Sequence, residues 1–152
     1  MVVDKALVGS SGEYYIAFRL SAAGYPVGLT ARGSRSADLL VTNLDSGKSL
    51  TIQVKAMMNA HVASKKWGAY WKWRVGINRA SPKDSFYYLF TDLRDDPTLV
   101  PHVFMVPSLN LQPLLEEYPT GGPKITDAWC NIYEKDKDMY LDRWDLIHGA
   151  LS

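Results

Sequence analysis

ADLLVTNLDSGKSLTIQVK, residues Ala37–Lys55, contains an apolar-rich run at Ala37–Thr42 and the start of a second, Ser49–Ala56, joined through Asp45-Ser46-Gly47-Lys48. Two such runs with a glycine in the connector predict a β-hairpin, because glycine supplies the positive φ that a tight turn needs. In the second run Leu50, Ile52 and Val54 alternate with Thr51, Gln53 and Lys55. Side chains alternate across a strand, so the apolar set faces one way and the polar set the other. A two-residue loop at Ser46-Gly47 places Asp38 opposite Lys55 and Leu40 opposite Gln53, with opposed Cβ atoms ~4.5–5.5 Å apart. An acid, an amide and an ammonium then converge at one end of the hairpin. Beside an apolar core that arrangement is costly unless the group binds something. The plainer alternative is a solvated strand entry at Asp38 and a strand-end lysine snorkelling to water.

The surrounding chain has 152 residues, 47% hydrophobic and 22% charged, which suits a single globular domain over 1–152 with length enough to bury a core. No apolar run approaches the ~20 residues of a membrane span. The amino terminus, MVVDKALVGSSGE, lacks a basic segment followed by an apolar one, so no secretory signal is expected. A lone Cys130 excludes an internal disulfide framework and fits a reducing cytoplasm. Net charge is +1, but it is unevenly spread: residues 1–80 carry eleven Lys/Arg against four Asp/Glu, and residues 81–152 carry six against twelve. The basic half holds the hairpin, which suggests a surface that faces a polyanion.

Upstream, Ser10-Ser11-Gly12-Glu13 has capping-box spacing, with Ser10 as N-cap and Glu13 at N3 of a helix running to about Ala23. Glu13 therefore has two candidate roles: closing the helix start, or projecting toward the sheet. Gly24 is the expected C-cap, and Tyr25–Thr30 reads as a short strand. Ala31–Ser36 is a small basic loop in which Arg32 and Arg35, with two hydroxyls and a glycine, suit phosphate contacts. A solvated loop explains the same residues equally well.

Downstream, Met57–Gly68 is irregular and contains Lys65-Lys66. Trp67–Val75 interleaves aromatic and basic residues. As a strand it sets Trp71, Trp73 and Val75 on one face and Lys72 and Arg74 on the other. Stacking on single-stranded nucleic acid uses that mixture, but an edge strand whose tryptophans cover the core accounts for the aromatics better. Phe86–Thr91 and His102–Val106 predict a second hairpin through the Asp95–Thr98 turn. A helix is expected from Pro107-Ser108 to about Tyr118 with a Leu111, Leu114, Leu115 stripe, then a loop over Tyr118–Asp127. Asp138–Ala150 reads as a closing helix with Tyr140, Leu141, Trp144 and Ile147 inward.

Several chemistries lack their signatures. There is no nucleotide-binding glycine pattern, no zinc-spaced Cys/His set and no G-x-S-x-G elbow. His61, His102 and His148 are isolated. What remains is Glu13, Asp38, Gln53 and Lys55, in that order, on helix, strand and strand. This order resembles the PD-(D/E)XK nuclease superfamily. The Gly12-Glu13 helix start and Gly24-Tyr25 helix end are similar to archaeal Holliday-junction resolvases. Gln53-Val54-Lys55 is similar to the endonuclease subunit of a bacterial cut-and-paste transposition system. A bacterial group within the superfamily resembles most of the chain: it shares the Ile52–Lys55 strand, a tryptophan segment at Trp67–Trp73, an aromatic strand at Phe86–Leu93, Val106–Ser108 and the Trp144 helix.

The resemblance implies an α/β, restriction-endonuclease-like fold with a central mixed β-sheet flanked by helices. It also implies phosphodiester hydrolysis of DNA, with RNA left open as a substrate and a homodimer as one arrangement for cutting two strands. Mg²⁺ or Mn²⁺ would be held by Asp38, the Gln53 amide oxygen, the Val54 carbonyl and Glu13. Lys55 would orient water or stabilise developing charge, and Arg32, Arg35, Lys65 and Lys66 would grip phosphates. Two positions depart from the pattern. Ala37 stands for a proline, and Gln53 for the usual Asp or Glu, which removes a negative charge from the metal site and weakens ligation of a hard cation. An inactive nucleic-acid-binding module of the same fold and a protein-interaction factor therefore remain as alternatives.

Overall fold

The structure is a computed structural model of the chain, and it describes residues 2–31, 37–119 and 126–152. Its first helix, α1, spans Lys5–Ala22 and is followed by β1 (Val27–Leu29), β2 (Leu39–Thr42) and β3 (Ser49–Met57). β4 (His61–Val62) and β5 (Tyr70–Arg74) come next, then β6 (Phe86–Asp92) and β7 (His102–Pro107). β8 (Leu115–Pro119), β9 (Thr126–Tyr133), α2 (Lys137–Tyr140) and α3 (Trp144–Leu151) complete the order.

The expected hairpin is present, but its register differs. Leu39 pairs with Ile52 and Leu40 with Thr51. Carried one pair further, this register sets Asp38, rather than Leu40, opposite Gln53. The cause is the turn: the Asn43 N–H bonds to the Lys48 carbonyl, so four residues are enclosed instead of two. The Asn43 side chain accepts from the Asp45 N–H inside it, and Gly47 sits at φ +73°. The displacement is two residues, so each side chain keeps its face.

β3 then pairs in parallel with β6, giving a mixed five-stranded sheet in the order β1-β2-β3-β6-β7. The crossover between β3 and β6 carries β4 and β5, which join β9 and β8 in a second, antiparallel sheet ordered β4-β5-β9-β8. Leu50, Ile52 and Val54 face α1 and α3, and they pack with Ile16, Leu20 and Ile147. The opposite face of β6 and β7 packs on the second sheet through Trp71, Trp73, Tyr88, Phe90, Phe104 and Ile132. All seven residues of β6 are buried, as a strand covered on both faces requires. Trp71 and Trp73 are thus core residues, as expected of the tryptophans, although β5 is not an edge strand: it lies between β4 and β9.

Four expectations fail. The capping box does not operate: α1 begins a turn and a half earlier, with the Asp4 side chain accepting from the Ala6 N–H. The Ser10 capping signal lies inside the helix, and a carboxylate further upstream caps it by accepting from one of the free N–H groups. The helix expected from Ser108 is two 3-10 turns, Ser108–Asn110 and Gln112–Leu114, followed by β8. The leucine stripe was real but short, and Pro113 interrupts it. The loop expected over Tyr118–Asp127 is strand at both of its described ends: Tyr118 and Pro119 belong to β8 and pair with Asp127 and Thr126 of β9, and the residues between them lie outside the described ones. Finally, the closing helix is broken. Leu141 is extended and bridges Phe104, and Asp142 adopts φ 51°, so α2 and α3 are separate. Among the described residues no helix is long and apolar enough to cross a membrane.

Candidate functional site

β2 begins at Leu39, so beyond the Leu39–Ile52 pair β3 runs on without a strand neighbour on that side. Val54 lies there, and its N–H would be left unsatisfied. Asp38 takes it up: its Oδ2 accepts from the Val54 N–H at 2.7 Å, while its own N–H donates to the Ile52 carbonyl. The Asp38 carboxylate is thereby fixed to the polar face of β3, between Gln53 and Lys55. Its second oxygen has no hydrogen-bond partner among the described residues. The Gln53 amide likewise has none, although the residue is half-buried.

The electrostatics follow from this half-burial. Burial raises the Asp38 carboxyl above its ordinary value, while the Val54 N–H and the Lys55 charge work against that rise. Burial lowers the Lys55 ammonium, and the Asp38 charge opposes the fall. In both groups desolvation outweighs the partner. Asp38 and Lys55 thus oppose each other's shift, and burial remains the larger effect on both.

Glu13 lies on α1, which packs on the apolar face of β3. A Cβ on Gly12 would lie 2.5 Å from the Ala56 Cβ and 3.3 Å from Val54 Cγ1, so only glycine lets α1 rest this closely on β3. Glu13 follows it on that turn and is half-buried. Asp38, Gln53, Val54 and Lys55 are thus brought together, while Glu13 lies on the helix packed against the opposite, Val54–Ala56 face of β3. Arg32 and Arg35 lie outside the described residues. Lys65 and Lys66 are exposed in the turn between β4 and β5, with the Lys66 ammonium 4.8 Å from the Trp67 ring centroid. That turn leads into Tyr70, at the opposite end of β5 from Arg74.

Arg74 belongs to a feature that sequence reasoning missed. Lys55 lines a cleft of about 710 Å³ together with Val3, Lys5, Met57, Arg74 and Trp129. Its walls come from the amino-terminal segment, the end of β3, β5 and β9, which is why no contiguous motif announced it. The one available signal was the Lys72/Arg74 alternation. Arg74 is fixed by Asp127, with Nε donating at 2.7 Å and Nη2 at 2.5 Å to the same carboxylate oxygen. This pair, and Arg79 with Glu117, bring together charges from the two halves of the chain, so the sequence asymmetry is partly neutralised in space.

The remaining titratable groups have structural settings. His148 Nδ1 hydrogen-bonds the Tyr25 hydroxyl at 2.9 Å, and His61 packs on Trp71. Cys130 is buried, and desolvation pushes its thiol far above the ordinary value, so it carries no thiolate chemistry. Among the described residues no group of three or more His, Cys, Asp and Glu side chains is placed to hold a metal ion.

No family model matches the chain, and no curated protein matches it. Among solved structures, it is similar to that of a bacterial homing endonuclease, I-Ssp6803I. The TM-score is 0.59 and the identity 18%, with 97% of each chain covered. At that identity the likeness is one of fold: the mixed central sheet with its flanking helices is a nuclease-like α/β architecture.

Proposed function

We propose that the chain is a metal-dependent nuclease of the PD-(D/E)XK type that hydrolyses phosphodiester bonds of DNA, with its active centre at Asp38, Gln53, Lys55 and Glu13. The observation that carries this reading is the Asp38 carboxylate pinned by the Val54 N–H on the same strand face as Gln53 and Lys55. The half-buried acid and ammonium on that face are complementary to a counter-cation and to the phosphodiester it accompanies. The nuclease fold of the homing endonuclease points the same way.

The donor set suits a hard divalent cation. The second Asp38 oxygen, the Gln53 amide oxygen, the Val54 carbonyl and the Glu13 carboxylate are all oxygen donors, as Mg²⁺ or Mn²⁺ prefers. When bound, such an ion supplies charge stabilisation at the scissile phosphate and eases deprotonation of water. The residues do the positioning. Asp38 is held by the Val54 N–H, so one of its oxygens stays aimed away from the strand. The lowered Lys55 ammonium is closer to proton exchange at neutral pH than a solvated lysine, which suits it to hold the attacking water or to meet developing negative charge. Lys65, Lys66, Arg32 and Arg35 would add sequence-independent phosphate contacts that weaken with salt.

Gln53, a neutral amide where the superfamily pattern has an acid, favours one second reading: a nucleic-acid-binding module that keeps the fold without cleavage. Plasmid, linear and branched DNA, incubated with and without Mg²⁺ or Mn²⁺, separates the two. Metal-dependent nicking that falls at least a hundredfold in Lys55→Ala supports the nuclease. Salt-sensitive binding without nicking supports the module, and neither activity sinks both.

A further inference from the structure

The cleft beside Lys55 is wider than a phosphodiester backbone requires. At about 710 Å³ it falls within the ~300–1,000 Å³ of small-ligand sites. Its lining is mostly apolar, with Val3, Met57 and Trp129, yet it also carries Lys5, Lys55 and Arg74 against the single acid Asp95. An apolar lining with an aromatic ring and three cations matches the parts of a nucleotide: a flat base for the apolar and aromatic side chains, phosphates for the cations. Lys55 belongs both to this cleft and to the candidate active centre, so an occupant of the cleft adjoins the scissile phosphate.

Trp129 and Arg74 are prepared for such an occupant. Trp129 donates its Nε1–H to the Tyr118 hydroxyl at 2.8 Å, which fixes its ring, and Lys72 lies 4.9 Å from the ring centroid. Trp129 pairs directly across the β5–β9 ladder with Arg74. The Arg74 guanidinium is oriented by Asp127, whose side chain is 1% exposed, and yet it remains 67% exposed itself. A surface arginine held in one orientation by a buried acid is ready to meet a planar or phosphate group.

We propose that this cleft receives a single unstacked nucleobase next to the cleavage point, so that the favoured substrate is DNA with an unpaired nucleotide rather than a continuous duplex. This rests on the nuclease reading and names its substrate class. A base inside a duplex cannot reach the cleft without losing its stacking, at a cost that is least for an unpaired base. Base–aromatic stacking of ~1–3 kcal/mol is lost when the aromatic is removed, about a five- to hundredfold effect.

The test compares binding and Mg²⁺-dependent nicking of three DNAs of one sequence: a continuous duplex, a duplex with one unpaired nucleotide, and a single strand. Binding is measured in EDTA, so that it does not depend on turnover. The expected result is preference for the unpaired nucleotide. Trp129→Ala should reduce that preference five- to hundredfold, Trp129→Phe should retain it, and Lys5→Ala should weaken all three DNAs alike. Circular dichroism checks that each variant is folded, and Trp129→Leu serves in place of Trp129→Ala if that variant is not. Equal binding of all three DNAs, or equal losses on all three in Trp129→Ala, overturns the proposal. If Lys55-dependent nicking persists in that case, the nuclease reading survives it; absence of both binding and nicking removes both.

Discussion

At the scale of single residues, the site is held in place by one hydrogen bond at a strand end. Asp38 gives up full hydration to satisfy the Val54 N–H, and burial raises its carboxyl as a result. A raised folded-state value means that the folded protein binds this proton more tightly than the unfolded chain does. The stability contributed by Asp38 is therefore fully present below the ordinary carboxyl value of 3.8 and is lost as pH rises through the folded-state value. Carbon NMR of the Asp38 carboxyl should show a midpoint above 3.8. In Lys55→Met the midpoint should move higher still, because the opposing charge is gone, and Mg²⁺ should bring it down in the parent protein. A midpoint below 3.8 without metal would contradict the burial that positions the group.

At the scale of elements, the contact between α1 and β3 decides whether Glu13 belongs to the site. Gly12 makes that contact, with its Cα where any Cβ would strike Ala56. Gly12→Val should cost ~1–3 kcal/mol of unfolding free energy through overpacking. Ala56→Gly in the same chain should recover much of it, as read by urea denaturation. No recovery would mean that the helix sits elsewhere on the sheet. The same contact explains what the sequence showed and hid about α1. The apolar spacing of Ile16 and Leu20 located the helix, and both are buried. The Ser10–Glu13 spacing gave a false start, because a capping box is a local pattern and the Asp4 cap competes with it upstream. Strand β8 was hidden for a similar reason: its Leu114-Leu115 entry continues a helical stripe, and only its pairing with β9 makes it a strand.

At the scale of the whole molecule, two apolar cores separate three layers, with the site and the cleft at the margin where the second sheet meets the first. The Arg74–Asp127 pair ties β5 to β9 and holds one wall of the cleft. The hydrogen bond from Arg74 is the main cause that holds the Asp127 carboxyl below its ordinary value. A depressed folded-state value contributes stability that is present above 3.8 and lost as pH falls through the folded-state value. Acid unfolding followed by tryptophan fluorescence should therefore show a component below pH 3.8 that is missing in Asp127→Asn. An identical acid limb in the two proteins would show that the pair does not link the strands.

The sequence by itself determined the alternation of β3, the aromatic hairpin of β6 and β7, and the placing of Asp38, Gln53 and Lys55 along one hairpin. Those readings depend on period-two patterning and turn chemistry, which act over a few neighbouring residues. Only the tertiary structure decided the pairing of Asp38 with Val54, the second sheet, and the cleft built from the amino terminus, β3, β5 and β9. These depend on contacts between segments tens of residues apart, where turn length, helix approach and burial set the geometry and no local periodicity records it.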